Sequence, residues 1–138
     1  MANALFDQGR EDFLAGTLAW ATDEFRLGLV DDTDITFDLA VNDFWDDVVA
    51  GLVSAAGESD ALGSKTVTDG VADAADKTWS SVTGDPADCV ICFKETGTDA
   101  TQNLVFALDS ATTGIPVTPN GGDITIAFDG GANKIFKL

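Results

Sequence analysis

Residues 114–138, GIPVTPNGGDITIAFDGGANKIFKL, decide the fold, because this stretch alternates between turn residues and short apolar runs. In the first run Ile124, Ile126 and Phe128 alternate with smaller or polar residues, as one face of a strand does. The following segment, Asp129–Asn133, is rich in residues that tolerate a positive φ and is typical of a turn. The stretch therefore predicts a strand, a turn and a second strand.

The second apolar run contains Ile135, Phe136 and Leu138 and ends with the sequence. An unpaired apolar strand edge promotes aggregation. We therefore expect this last strand to pair with an earlier strand or with another subunit.

Similar short apolar runs separated by turns recur from Lys65 onward, and this spacing is typical of an all-β protein. Cys89–Phe93 is apolar without alternation, so it predicts a central strand or one that lies under a partner. With a strand that starts at Phe25, the count is about seven, and we expect a mainly β protein, either a β-sandwich or a small barrel. The other predicted strands lie in SKTVTDGV, KTWSSV and NLVFALD.

The N-terminal half adds one or two short amphipathic helices. Asn3 is placed to cap a helix over Ala4–Ala15, and Gly16 is placed to end it. Asn42 introduces a second helical pattern, NDFWDDVVAGLV, with its aspartates opposite its apolar residues. The small, polar segment Ala55–Ser64 predicts a mobile surface loop.

Length and composition predict a single domain over residues 1–138, since 138 residues with 45% hydrophobic content can bury a core. The formal net charge is −17, from 24 acidic and 7 basic side chains. Such a charge repels phosphate backbones and anionic lipid, so we expect neither a nucleic-acid nor a membrane partner. Fifteen of the acids lie between Met1 and Asp69. A charged, solvated face that maintains solubility is the simplest explanation.

The opening MANALFDQGREDF carries three acids where a signal peptide needs a basic and then an apolar region. No apolar run approaches the length of about 18 residues that a membrane-spanning helix needs. The sequence therefore predicts synthesis and folding in the cytoplasm, where thiols stay reduced.

Cys89 and Cys92 match the CxxC pattern of redox and zinc sites. On a strand, however, these two positions point to opposite faces, and the chain has no histidine and no further cysteine. We expect both thiols to fill the core.

The chain also lacks two residue types that are common in catalytic sites, since it has no histidine and no tyrosine. A hydrolase with paired carboxylates drawn from Asp31, Asp32, Asp34 and Asp38 is conceivable, although acidic loops are common. We expect the protein not to be an enzyme, and we assign no catalytic, cofactor-binding or metal-binding residue.

Two weaker binding hypotheses remain. The runs Asp31–Asp34 and Asp69–Asp73 lack the spacing of an EF-hand loop, but two loops together could hold calcium. Trp20, Trp45 and Trp79 could line a sugar-binding face, although each lies in an apolar pattern and is more simply core or subunit interface.

Five stretches of the sequence carry a family resemblance; they are MANALFDQGREDFLAG, EFRLGLVD, GSKTVTDGVADAADKTWSSVTGD, FKETGT and LDSATTGIPVTPNGGDITIAFDGGANKIFKL. Together they resemble a group of small structural proteins encoded in the virion gene clusters of tailed bacteriophages. The resemblance spans nearly the whole chain and is strongest over Lys65–Leu138, and the helical pattern within Asn42–Asp60 departs from it.

This resemblance implies a virion protein, and first a head decoration (cement) protein on the outside of the capsid shell. The implied partners are the major capsid protein and further copies of the chain itself, commonly in a trimer. The group has no catalytic motif, so the resemblance implies no site residue. The first alternative is a tail or neck component, such as a tube, connector or fibre-associated protein. A more distant alternative is a calcium- or glycan-binding module that attaches the particle to a host.

Overall fold

The apolar run Cys89–Phe93 lies within an inner strand of the largest sheet in the computed structural model. The structure describes residues 3–53, 56–111 and 113–138. In these ranges the helical elements are one α-helix, α1 (Asp7–Ala15), and four 3-10 turns at Asp32–Asp34, Trp45–Asp47, Val49–Gly51 and Asp99–Thr101. The strands are β1 (Ala4–Leu5), β2 (Phe25–Val30), β3 (Thr66–Thr68), β4 (Val71–Asp73), β5 (Lys77–Trp79), β6 (Cys89–Lys94), β7 (Leu104–Leu108), β8 (Ile124–Ile126) and β9 (Phe136–Lys137).

The central sheet has the strand order β1-β7-β6-β2, and all its pairs are antiparallel. Val30 lies opposite Cys89, and Leu27 lies opposite Cys92, which fixes the register of β2 on β6. Both faces of this sheet are buried, because successive residues of β6 enter two different apolar clusters. A strand buried on both faces loses the apolar–polar alternation, which is the pattern of Cys89–Phe93.

One face of the central sheet is covered by two smaller antiparallel sheets, β3-β4-β9 and β5-β8, which we call the strand cover. Trp79, Ile124 and Ile126 from this cover share a cluster with Phe25 and Leu27 of β2. The sheets do not close into a barrel. Of the two predicted architectures, the packed-sheet arrangement therefore agrees with the sandwich.

The predicted C-terminal strand pairs within the chain, with β4 as its partner. The β3–β4 hairpin turns at Asp69 and Gly70, whose φ angles are 52° and 78°. Two successive positive φ angles belong to the tight turn whose twist matches that of a β-hairpin. The N–H of Leu138 donates to the carbonyl of Gly70, so the hairpin turn also anchors the end of the chain.

The other face of the central sheet is covered by residues 31–52, which we call the acidic cover. Its backbone leaves the end of β2 at Asp31 and returns where Leu52 bridges to Val30. Trp45 and Val48 from this cover are fully buried in the second cluster, which also holds Ile91 of β6. Residues 31–52 carry seven aspartates and no lysine or arginine.

The mainly β fold is confirmed, with nine described strands where about seven were expected. One extra strand arises because SKTVTDGV contains the β3–β4 hairpin, and the other is β1. The N-terminal helix ends at Gly16 as predicted, but it begins only after β1, and Asn3 does not cap it. The Asn3 side chain instead accepts from the N–H groups of Asp109 and Ser110.

Of two expectations for the N-terminal half, one was wrong and the other was correct only in part. The helical pattern from Asn42 forms only two 3-10 turns rather than an α-helix. Part of Ala55–Ser64 lies outside the described residues, but its later part runs along the outer edge of β2. There Ser59 and Leu62 donate backbone hydrogen bonds to Leu27 and Phe25, and both are buried. That part of the segment is therefore held against the sheet.

No helix in the described part of the chain has the length and apolar character needed to cross a membrane.

Candidate interaction surface and carboxylate cluster

Trp45 anchors the acidic cover to the central sheet. Its ring stacks on Phe93, with 4.3 Å between the centroids. The indole Nε1–H donates to Glu58 Oε1 at 2.9 Å, so the polar atom of this buried side chain is satisfied. Gly28 makes room for the ring, since a Cβ atom there would lie 2.4 Å from Trp45 Cη2.

Several aspartates of the acidic cover shape its turns. Asp47 Oδ2 accepts from the N–H groups of Asp43 and Phe44 at 2.8 and 3.2 Å. Asp38 Oδ1 accepts from the N–H of Ala40 at 2.9 Å, and Asp38 N–H donates to Asn42 Oδ1. These short-range bonds offer the backbone an alternative to a helix. Part of the negative charge is therefore built into the local structure.

The same turns surround an open depression of about 600 Å³. Val41, on its wall, is 67% exposed. The lining combines three carboxylates with aliphatic surface and contains no basic residue; it consists of Asp34, Ile35, Thr36, Asp38, Val41, Asn42, Asp47 and Ala50. We call this feature the acidic depression.

A separate carboxylate cluster lies at the end of β2, where an oxygen from each of Asp31, Asp32 and Asp88 falls within 4.8 Å of the others. The strand register explains it. Asp31 comes directly after Val30 and Asp88 directly before Cys89, and Val30 and Cys89 lie opposite each other in the antiparallel β2–β6 pair. The hydroxyl and N–H of Thr33 both donate to Asp31 and lower the pKa of that carboxyl. Burial, followed by the charges of Asp31 and Asp32, raises the pKa of Asp88.

Carboxylate oxygens of this kind suit hard cations, but calcium takes about six to eight oxygen ligands. Three aspartates supply part of such a set, and acidic groups also meet at surfaces that bind no ion. The cluster brings together two of the four aspartates considered for a hydrolase, namely Asp31 and Asp32. The other two, Asp34 and Asp38, line the acidic depression instead. Asp88 was missed from the sequence because only strand register reveals its position.

The second acidic run considered for calcium has a different role. Asp69 forms the β3–β4 turn, and Asp73 lies 3.9 Å from the Lys134 ammonium. The structure does not bring either residue to the Asp31 cluster.

The two cysteines are buried on opposite faces of the central sheet, as predicted. Burial raises the pKa of Cys89 to about 12 and that of Cys92 well above its usual range. Both groups are therefore neutral thiols at physiological pH and fill the core.

The three tryptophans are also core residues, in agreement with the simpler of the two expectations. Trp20 stacks on Phe25 and donates to the carbonyl of Asp73, and Trp79 donates to the carbonyl of Gly57. With Trp45 under the acidic cover, none of the three presents an open aromatic face to a sugar.

No protein-family model matches this chain, and a search of curated proteins also finds no match.

Proposed function

We propose that this protein is a head decoration, or cement, protein of a tailed bacteriophage. In this proposal it binds the outer surface of the capsid shell and stabilises the shell through self-association and contacts with the major capsid protein. The sequence resemblance supports membership of the virion. The observation that supports an exterior docking role is the depression in the acidic cover, whose lining combines three carboxylates with aliphatic side chains.

The charge of the chain supports a position away from packaged DNA. A net charge of −17 repels the phosphate backbone, whereas the outside of a protein shell imposes no such penalty. The polar and aliphatic side chains that would meet the shell lie over a core that is buried on both faces of the central sheet.

Self-association would raise the overall affinity for the shell, even if each single contact were weak. Capsid subunits repeat around symmetry axes, and a trimer placed on a threefold axis binds three equivalent sites at once. Two of the large apolar side chains that are exposed in the described chain, Leu14 and Leu138, could serve such contacts.

The decisive experiment labels Asp85, an exposed loop residue, after substitution by cysteine and locates the label on intact particles by electron microscopy. Label over the head surface supports the proposal, and label on the tail or neck would establish the alternative. Removing the protein should lower the temperature at which heads rupture. Sedimentation equilibrium should give a trimer, whereas hexameric rings or open polymers would favour the tail.

The proposal also includes the absence of catalysis. The purified protein should show no turnover of ester or glycoside substrates at any pH. A bell-shaped pH profile of activity would instead reveal a pair of working carboxylates. Stability that changes on chelation, or binding to a glycan, would support the host-attachment alternative.

A further inference from the structure

We propose that the acidic depression is a docking site for a basic amphipathic segment of a partner protein, in which lysine or arginine alternates with an aliphatic residue. The identity of that partner within a phage particle rests on the proposed function. The chemistry of the site follows from the depression itself.

The first reason is charge complementarity. Asp34, Asp38 and Asp47 line one depression, and no basic side chain lines it. The nearest lysine or arginine along the sequence is Arg26 on one side and Lys65 on the other. Arg26 is bound to Glu24, and Lys65 donates to the carbonyl of Asp23. Neither of these two cations lines the depression, so a cation from a partner would meet three carboxylates there.

The second reason is that the depression is only partly polar. Ile35, Val41 and Ala50 give it an aliphatic wall, and Val41 is largely exposed. A free metal ion or a purely cationic chain would leave this apolar surface in water. A segment with a lysine or arginine beside an aliphatic side chain would satisfy both parts at once.

The third reason is that the site is preorganised. Asp47 and Asp38 are held by hydrogen bonds to backbone N–H groups, and the segment beneath them is fixed by the buried Trp45. Binding would therefore order few protein side chains, which reduces its entropic cost.

Three capped pentapeptides test this inference by fluorescence anisotropy. The first alternates lysine with leucine, the second alternates lysine with serine, and the third alternates glutamate with leucine. We expect the lysine–leucine peptide to bind most tightly, the lysine–serine peptide to bind more weakly, and the glutamate–leucine peptide not to bind. Equal binding of both lysine peptides would overturn the apolar part of the inference.

The site is located with the double variant Asp34→Asn/Asp38→Asn. Asparagine retains the oxygen through which Asp38 accepts the bond from Ala40, so the turn should persist, as an unchanged melting temperature would verify. Removing two exposed ion pairs should weaken binding of the lysine–leucine peptide about three- to tenfold at low salt. Val41→Ser should remove the preference for leucine over serine.

The matched controls make the same kinds of substitution at exposed positions outside the depression. Glu11→Gln/Asp85→Asn removes the same number of exposed charges from outside the depression, and Val67→Ser changes a second exposed valine on β3. Both controls should bind like the native protein. If they weaken binding as much as the site variants, the peptides follow net charge alone and the inference fails.

Purified head shells separate this inference from the proposed function. If the native protein does not cosediment with shells, the proposed function fails while the peptide result stands. If it does, and Asp34→Asn/Asp38→Asn binds the shell as tightly as the native protein, the depression is not the docking site. A loss of self-association in that variant would identify a second copy as the occupant and overturn the partner assignment.

Discussion

The two faces of the central sheet are covered by different kinds of structure. The strand cover consists of short paired strands whose backbone groups bond to one another. The acidic cover is largely irregular, and its buried contacts centre on Trp45 and Val48. An apolar sheet face can thus be sealed either by a second sheet or by a loop with one large anchor. In this protein the second arrangement forms a depression that is lined by three carboxylates and no basic side chain.

Removing the anchor should have the largest effect. Trp45→Ala deletes a fully buried ring that stacks on Phe93, and we expect a loss of about 3–5 kcal/mol in the free energy of unfolding. Urea denaturation measures it. Trp45→Phe keeps a stacking ring and should lose less. Equal losses for both variants would show that the Glu58 hydrogen bond, rather than packing, holds the cover.

The corresponding test on the strand cover is Ile126→Ala. Ile126 is fully buried in the larger cluster, and its truncation should cost about 2–5 kcal/mol. Val67→Ala, on the exposed edge strand β3, serves as the control and should change stability by no more than about 0.5 kcal/mol. A loss below about 1 kcal/mol for Ile126→Ala would mean that this cover contributes little to the core.

The fit between the acidic cover and β2 can be tested without removing any side chain. Gly28→Ala would place a methyl group 2.4 Å from Trp45 Cη2 and should cost about 1–3 kcal/mol through forced displacement of the ring. Gly63→Ala is the matched control, because a Cβ there meets nothing within 4 Å. Thermal melting should give a lower melting temperature for Gly28→Ala than for Gly63→Ala.

The smallest effect concerns the carboxylate cluster, where the acidic cover meets β6. Because the pKa of Asp88 is raised, the folded state binds its proton more readily than the unfolded state does. Asp88 therefore contributes stability that is fully present below the unfolded aspartate pKa and is lost as pH rises through the raised pKa of the folded state. Asp88→Asn should gain up to about 0.5 kcal/mol at neutral pH, and the gain should vanish below the unfolded aspartate pKa of about 3.9.

The pKa of the neighbouring Asp31 is shifted in the opposite direction, so its effect on stability has the opposite pH dependence. Its lowered pKa contributes stability that is present above the ordinary aspartate pKa and is lost as pH falls through the folded value. Denaturant titrations of the native protein and Asp88→Asn across this range measure both contributions. Asp85→Asn, outside the cluster, is the control for the loss of one negative charge. The same gain in that control would attribute the effect to net charge.

Strand positions could be predicted because their signal is local. The alternation of Ile124, Ile126 and Phe128, and the unbroken apolar run at Cys89–Phe93, follow from which faces are buried. The helix expected from Asn42 failed for a non-local reason. Asp43 and Trp45 bond through their backbones to Leu104 and Gln102, and that pairing is incompatible with a continuous helix.

The candidate surfaces were only partly predictable. The acidity of residues 31–52 is visible in the sequence, but the grouping of Asp31 and Asp32 with Asp88 depends on the register of β2 and β6. The acidic depression likewise depends on how the chain turns between Asp34 and Ala50. Asp31 and Asp88 are distant in sequence and meet because β2 pairs with β6.

The sequence by itself determined the mainly β character, the opposite orientation of the two cysteines and the strong negative charge. Each of these follows from residue type and the two-residue period of a strand. The tertiary structure alone decided that the last strand pairs with β4, that Trp45 closes one face of the central sheet and that three aspartates line one depression. Those outcomes depend on long-range backbone pairing and on the fit of side chains such as Trp45 over Gly28, which no local pattern encodes.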